Sequence, residues 1–382
     1  MKTIEYPYAL VVRWPVGGIR THLKYSKELL SSDSPVFRPL YISYDDADTQ
    51  LALSSLNIAP ENNFSTGIHS LFGMLKSVVS VCLKKPIRVI HSQGFISSII
   101  STPAAVLFRK KHIVSVHDVI TDEVIANTSA LSRIVLGAAL RMAFAVHAVG
   151  QDCANSIRRL PFMRTARNIV IIRNGIDPKR FSNPVPFDLR ALTGASADTR
   201  LVGFFGRFHP QKGFRYLVDA IAQLRQSHPE LSLKVVAVGD AGTLVEDKRY
   251  VLDNGLENYF FFHPQVENPT SLMVACDMIV MPSLWEAYSL LAAEVLTLGV
   301  PLLASTCIGL AEVVQDSPAK TFPPKNASAL AEAIYDEAVH PSKEGALAFM
   351  PQARTRFDFT ANAEKLNKLL YIAQSGQRLD LL

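Results

Sequence analysis

The stretch Pro282-Ser283-Leu284-Trp285-Glu286-Ala287-Tyr288-Ser289-Leu290-Leu291-Ala292-Ala293-Glu294 follows an apolar run, Cys276 to Met281, and leads into a helical pattern. An apolar strand, a loop and a helix in that order are the unit from which parallel sheets with helical cover are built. A helix that opens at such a loop leaves the N–H groups of residues 288 to 291 without intrahelical acceptors, beside the positive end of the helix dipole. Backbone of that kind suits a diphosphate. Glu286 stands in the loop and Glu294 about two turns inside the helix, so the pair does not readily share a metal, but each carboxylate can grip the hydroxyls of a different sugar ring. The plainer reading is a helix cap for Glu286 and a solvated face for Glu294.

Working outward, short apolar runs alternate with amphipathic segments along the whole chain. Tyr8 to Val12, Val36 to Ile42, Arg88 to Ile90, His112 to Val116, Ala145 to Val149 and Asn168 to Ile172 read as strands, with helical patterns such as Ile19 to Leu30 and Leu131 to Met142 between them. After Asn183-Pro184-Val185-Pro186 the pattern restarts with Leu201 to Phe205, Ser232 to Val238, Tyr259 to Phe262, Met278 to Met281 and Pro301 to Ala304 as strands. Phe214 to Gln226 and Ser289 to Leu298 read as helices. Strand and helix alternating twice over predicts an α/β protein of two Rossmann-like, doubly wound parallel-sheet domains. The predicted boundary is 1–178 and 179–382, with a linker near Asn174 to Pro186 and a last helix, Ala361 to Ala373, that could cross back to the first domain. In open sheets of this class ligands bind beyond the carboxyl ends of the strands, so the loops there are where chemistry belongs.

The 382 residues suffice for two domains at about 100 to 200 residues each. With 48% hydrophobic and 19% charged residues the chain is neither a disordered tail nor a fibre. The start, Met1-Lys2-Thr3-Ile4-Glu5-Tyr6, lacks a secretory pattern, and the longest uncharged window, Val89 to Phe108, is too polar for a bilayer span, which predicts a cytoplasmic protein. Cys82, Cys153, Cys276 and Cys307 have neither disulfide-framework nor zinc spacing. Asp46-Ala47-Asp48 has the acidic triplet form used elsewhere to hold a metal and a diphosphate, but its polar setting reads as a solvated turn. No metal site is predicted. Residues 1–200 hold 24 basic and 14 acidic side chains, whereas residues 201–382 hold 15 and 20. The basic first half lacks a nucleic-acid motif and suits an anionic membrane surface at least as well; ordinary solvated helix faces are the plain alternative.

The quoted stretch resembles the E-x7-E signature of the retaining nucleotide-sugar glycosyltransferases of family 4, the group 1 glycosyl transferases with the GT-B fold. Gly203-Phe204-Phe205-Gly206-Arg207-Phe208-His209-Pro210-Gln211-Lys212-Gly213 resembles that family's G-R-x-x-x-x-K-G loop, and Val238-Gly239-Asp240 its next strand end. Ile172-Arg173-Asn174-Gly175-Ile176-Asp177 resembles the P-N-G-V-D segment joining its domains. Arg13 to His22 with Gly17-Gly18 resembles its amino-terminal glycine loop, and Ser115-Val116-His117-Asp118 the strand end bearing its active-site histidine. The landmarks run in family order from residue 11 to about 315. Three places depart: Glu286-Ala287-Tyr288-Ser289 replaces E-G-F-G, Arg173 stands where proline is usual, and His263 follows Phe260 to Phe262 where glycine is common.

The resemblance implies a hexosyltransferase that moves a hexose-type sugar from a nucleoside diphosphate sugar to an acceptor hydroxyl with retention. Its two domains would face one another across a cleft. Its implied catalytic residues are His117, Glu286, Arg207 and Lys212. Its implied donor-binding residues are Gly17, Gly18, Gly206, Gly239, Asp240, Val266, Tyr288, Ser289, Leu290, Leu291 and Glu294. Arg207 and Lys212 would neutralise the departing diphosphate. Glu294 would hold the ribose, Glu286 the transferred sugar, and His117 would sit beside the reacting carbon. No cofactor is required on this reading and activity is metal-independent. The implied acceptor is a glycan or lipid-linked, in bacterial lipopolysaccharide, capsule or exopolysaccharide synthesis, with the protein peripheral at the cytoplasmic face of the inner membrane and no nucleic-acid partner. A nucleotide-sugar epimerase, a glycan phosphorylase and a noncatalytic sugar-nucleotide binder stay open as alternatives.

Overall fold

The computed structural model describes residues 8–15, 18–31, 39–47, 49, 54, 62–65, 67–240, 242–266 and 268–381. The chain folds as two compact units, Met1–Asn174 with Phe359–Leu382, and Gly175–Asp358.

The first unit holds a six-stranded parallel sheet of β1 (Ala9–Val12), β2 (Leu40–Ile42), β3 (Val89–Gln93), β4 (Lys111–Val116), β5 (Ala145–Ala148) and β6 (Ile169–Ile171), in the order β2-β1-β3-β4-β5-β6. Its strand β1 is apolar throughout because helices cover both faces and leave no wet side to alternate against. Ala9, Val11, Ile42, Met74, Val78 and Ile90 form one such face. Tyr8, Leu10, Val89 and Ile113 form another, together with Leu366, Leu369, Leu370 and Ala373 of the carboxy-terminal helix Thr360–Ser375. That helix completes the first core although more than 180 residues of the second unit precede it in sequence.

The second unit repeats the architecture with β7 (Arg200–Phe205), β8 (Leu233–Val238), β9 (Phe260–His263), β10 (Met278–Met281), β11 (Leu302–Ser305) and β12 (Lys320–Phe322), ordered β12-β11-β10-β7-β8-β9 and parallel throughout. Under the helix Phe214–Ser227 the rings of Phe204, Phe208, Phe214, Phe260 and Phe262 pack tilted or edge-on, with centroids 5.0 to 5.9 Å apart, except that Phe260 and Phe262 stack at 6.3 Å. Such aromatic pairs add to the area they bury. In each sheet the strand order reverses at one point: between β1 and β3 in the first, between β7 and β10 in the second. The loops that leave the carboxyl ends of those strands are the binding positions of this fold class.

Two expectations shift. The strand expected at Arg88 to Ile90 continues through His91, Ser92 and Gln93, because the sheet satisfies these polar side chains internally. β12 carries no apolar run and is a strand only because β11 pairs with it, Ala304 against Thr321. Of the strand expected at Val36 to Ile42, residues 36–38 lie outside the described residues, and Leu40–Ile42 is extended. All four cysteines are buried and free. Asp46 accepts a hydrogen bond from the Thr49 amide at 2.8 Å and so caps its turn, while Asp48 lies outside the described residues. Among the described residues no helix is long and apolar enough to cross a membrane.

Candidate functional site

In the second unit the switch point brings together the loop after β7 and the loop after β10. Gly213 makes this possible. It sits at φ +67°, and a Cβ there would lie 2.0 Å from the Pro282 carbonyl oxygen, so only glycine lets the two loops touch. Leu284 N–H donates to the Gln211 carbonyl at 2.7 Å, and the Gln211 side-chain amide donates to the Trp285 carbonyl at 2.8 Å. Across this seam Lys212 Nζ donates to Glu286 Oε1 at 2.7 Å, and Ser283 Oγ donates to the same oxygen at 2.8 Å. Glu286 is buried and its N–H donates to the Ile308 carbonyl at 2.9 Å. The pair is therefore held from both ends, with a half-buried ammonium as its open side. Such a pair resists screening better than a surface ion pair does.

The neighbouring residues divide by position. Arg207 is exposed, and its charge together with that of Lys212 adds to the effect of burial in holding the His209 imidazole below its usual range. Gly206 turns the chain at φ +138° beside the Lys212 side chain. Phe208 N–H donates to the Asp240 carbonyl at 3.3 Å and Gly239 N–H to the His263 carbonyl at 3.1 Å, tying the β7, β8 and β9 ends together; Asp240 is exposed and Val266 half-buried. Tyr288 and Ser289 are buried, and Ser289 caps the helix Leu290–Leu298 by accepting from the Ala292 amide at 3.4 Å. Leu290 and Leu291 open that helix. Glu294 is half-buried one turn further, and desolvation raises its carboxyl from 4.5 to about 7. Burial without a cation favours the neutral acid. Glu294 thus stands apart from the Lys212–Glu286 pair.

The first unit presents different chemistry. Parallel register sets Gln93 of β3 beside Ser115 of β4, and Ser115 beside His147 of β5. His91, two residues before Gln93, lies on the same face. Ser115 Oγ is 2.7 Å from His91 Nε2 and 2.8 Å from His147 Nδ1, and His147 Nε2 is 2.8 Å from the Ile172 carbonyl. The Gln93 side-chain amide spans His91 Nε2 at 3.1 Å and His117 Nε2 at 2.6 Å. The His117 ring lies 4.8 Å from that of His22. Burial holds these imidazoles neutral: His22 falls to about 3 by burial and then by the charge of His147, His147 to about 4 by burial, and His91 and His117 well below 6.5 by burial first and their neighbours second. A neutral chain has one direction. The Ile172 carbonyl only accepts, so His147 Nε2–H donates to it and Ser115 Oγ–H donates to His147 Nδ1. His117 Nδ1 is buried without a partner among the described residues.

Gly18 is exposed as the first residue of its helix, with open space where a Cβ would stand; Gly17 lies outside the described residues. Sequence reasoning passed over Ser283, Gln211, Gln93, Ser115, His91 and His147. Ser283 had a signal in lying between the strand and Glu286. Gln93, Ser115 and His147 had none, since only strand order brings them into one row. Among the described residues no group of three or more His, Cys, Asp or Glu is arranged to hold a metal ion.

Comparison with known proteins matches residues 51–180 to the family model Glycosyltransferase Family 4 and residues 199–336 to Glycosyl transferases group 1. The D-inositol 3-phosphate glycosyltransferase of Stackebrandtia nassauensis is 31% identical over 157 residues, 39% of this chain and 35% of that protein. The lipopolysaccharide core biosynthesis mannosyltransferase LpsB of Rhizobium meliloti is 30% identical over 148 residues, 38% of this chain and 42% of its own. These alignments span well under half the length of either relative. In structure the chain is similar to HepE of Anabaena in complex with UDP, with a TM-score of 0.78 and 21% identity, covering 96% of this chain and 99% of that one.

Proposed function

Starting from a chain that belongs to the family 4, group 1 glycosyltransferases and has their GT-B fold, we propose that it transfers a hexose-type sugar from a nucleoside diphosphate sugar to an acceptor hydroxyl with retained anomeric configuration. The observation that carries this is the Lys212–Glu286 contact at the β7–β10 switch point. A cation for the diphosphate and a carboxylate for sugar hydroxyls lie within one hydrogen bond of each other, at the place where this fold binds ligands. With donor bound, Lys212 and the exposed Arg207 neutralise the charge that grows on the leaving diphosphate, and the N–H groups at the start of Leu290–Leu298 add to it. Glu286, released from Lys212 and still held by Ser283, accepts from sugar hydroxyls. Glu294 accepts from the ribose diol once ionised.

Both sheet ends then have a part. Gln93 Oε1 lies 2.6 Å from His117 Nε2, so the neutral His117 carries its proton on Nε2 and donates it to the amide, which leaves the buried Nδ1 as an acceptor for a ligand hydroxyl. The acceptor hydroxyl loses its proton to the departing phosphate, on the same face of the sugar, with no covalent intermediate and no metal. LpsB, named for lipopolysaccharide core biosynthesis, supports a role in surface-polysaccharide assembly, and the acceptor we propose is a glycan or lipid-linked one at the cytoplasmic membrane face. UDP-sugars are the first donors to try, because HepE was solved with UDP.

The test is a thermal-shift series with UDP, GDP, ADP, CMP and dTDP, followed by release of the tightest-binding nucleotide from its sugar conjugates in the presence and absence of EDTA. One nucleotide should raise the melting temperature and its sugar should turn over in EDTA. No stabilisation by any nucleotide, or activity that needs added manganese, overturns the reading.

A further inference from the structure

The first unit carries a second cationic site, apart from the sheet ends. Between the helices Asp122–Asn127 and Ala130–Met142 and the turns after Gln151–Ile157 lies a cavity of about 590 Å³. Arg133, Arg158, Arg159 and Arg164 line it, and no acidic side chain does. Arg159 is the committed one: it donates to the Ile120 carbonyl at 3.1 Å and pairs with Asp122. Arg158 reaches only the Asn155 side-chain carbonyl, at 3.4 Å. Arg133 Nε is buried and finds no acceptor among the described residues. Four guanidiniums around one cavity, of which only Arg159 is paired with a carboxylate, repel one another, and a buried donor left without an acceptor is a standing cost. An oxyanion in the cavity relieves both, and guanidinium forks fit phosphate oxygens two at a time.

The wall is shaped for its occupant. Gly137 lets the turn press onto the helix, since a Cβ there would stand 2.1 Å from the Pro161 carbonyl oxygen. Phe162 holds φ at +67°, a conformation that costs a bulky residue, and its ring is 58% exposed. On the helix that bears Arg133, Leu131, Ile134 and Val135 are exposed, Leu131 at 70%. A soluble phosphate would use the arginines alone. Apolar side chains beside them are what a lipid surface covers while its headgroups meet the charge.

We propose that this arginine cavity binds the phosphate headgroup of an anionic membrane lipid. The choice of lipid over soluble phosphate rests on the membrane-docking part of the reading above, and nothing in it depends on the nucleotide site. The experiment is co-sedimentation of the full chain with vesicles of phosphatidylglycerol in phosphatidylcholine, against phosphatidylcholine alone, for the wild type and for Arg158→Gln/Arg164→Gln. Both substituted residues lie outside the Asp122 pair, and a circular-dichroism melt checks the fold. The wild type should bind only the anionic vesicles, and the double variant about tenfold more weakly, with its nucleotide-induced melting shift unchanged. Equal vesicle binding by both proteins overturns the cavity as the site while leaving membrane docking in place. Indifference of the wild type to anionic vesicles, with an arginine-dependent stabilisation by inorganic pyrophosphate, overturns the lipid as occupant. Should the double variant melt early, Leu131→Ser serves in its place, and unchanged vesicle binding by it counts against the proposal.

Discussion

The two sheets end in opposite chemistry. At the β7–β10 switch point the second unit keeps its charges, a lysine and a glutamate in contact with an exposed arginine close by. At the ends of β3, β4 and β5 the first unit buries imidazoles, an amide and a hydroxyl in a hydrogen-bonded row that holds no charge at neutral pH. The same architecture therefore carries fixed charge at one sheet end and neutral hydrogen-bonding groups at the other. A fixed charge tolerates small displacements because Coulomb attraction is long-ranged, whereas a neutral hydrogen-bonding group works only when aimed. The Gln93 amide fixes the His117 ring.

The largest expected effect separates the units by acid. His22, His91, His112, His117 and His147 have folded values below their unfolded ones, so their stability is present above about pH 6.5 and is lost as pH falls toward about 4. Each contributes roughly 1.4 kcal/mol per pH unit, several kcal/mol together. Hydrogen exchange at pH 5 should show amides of β3, β4 and β5 losing protection while β7, β8 and β10 keep theirs; equal loss in both sheets would erase the contrast.

Next comes Lys212→Met. Turnover should fall about 100- to 1,000-fold. Its melting temperature should also drop, because buried Glu286 loses its counter-ion. Adding Glu286→Gln should restore the melting temperature without restoring turnover, and a double variant that regains activity would show that charge is not what the second site supplies.

Glu294→Gln is smaller. A carboxyl raised from 4.5 to about 7 costs the folded protein progressively as pH rises across that window, by on the order of 3 kcal/mol when complete. The variant should match wild type near pH 4 and exceed it in melting temperature at pH 8, while its nucleotide affinity falls. A constant difference across the range would mean that Glu294 is not desolvated.

Ser115→Ala should cost about 1 to 3 kcal/mol by leaving His91 and His147 without their shared partner. Its sharper readout is spectroscopic. Long-range proton–nitrogen correlation in histidine-labelled protein should place the wild-type His117 proton on Nε2, with a mixture of tautomers in the variant; a wild-type Nδ1 proton would reverse the acceptor role given to His117 Nδ1.

Much of this molecule could be read residue by residue. Apolar runs such as Met278 to Met281 and the amphipathic pattern from Phe214 show themselves locally, because parallel strands and their covering helices are set by periodicity. Glu286, Glu294, Arg207 and Lys212 stood out because they occupy the charged positions of the E-x7-E and G-R-x-x-x-x-K-G patterns that the sequence resembles. His91, Ser92 and Gln93 were misread as the end of a strand, since polar side chains inside a buried strand make sense only when their partners are known.

Sequence by itself determined the alternation of elements, the two-sheet class and the charged residues of the second site, all of which depend on neighbours in the chain. Tertiary structure decided the rest: that Lys212 touches Glu286, that Ser283 holds it, that β12 pairs at all, and that Gln93, Ser115 and His147 lie in one row. Apart from Ser283 and Glu286, which are near neighbours in the chain, these contacts join residues far apart in sequence, and strand order and register, which follow from packing the whole sheet, bring them together.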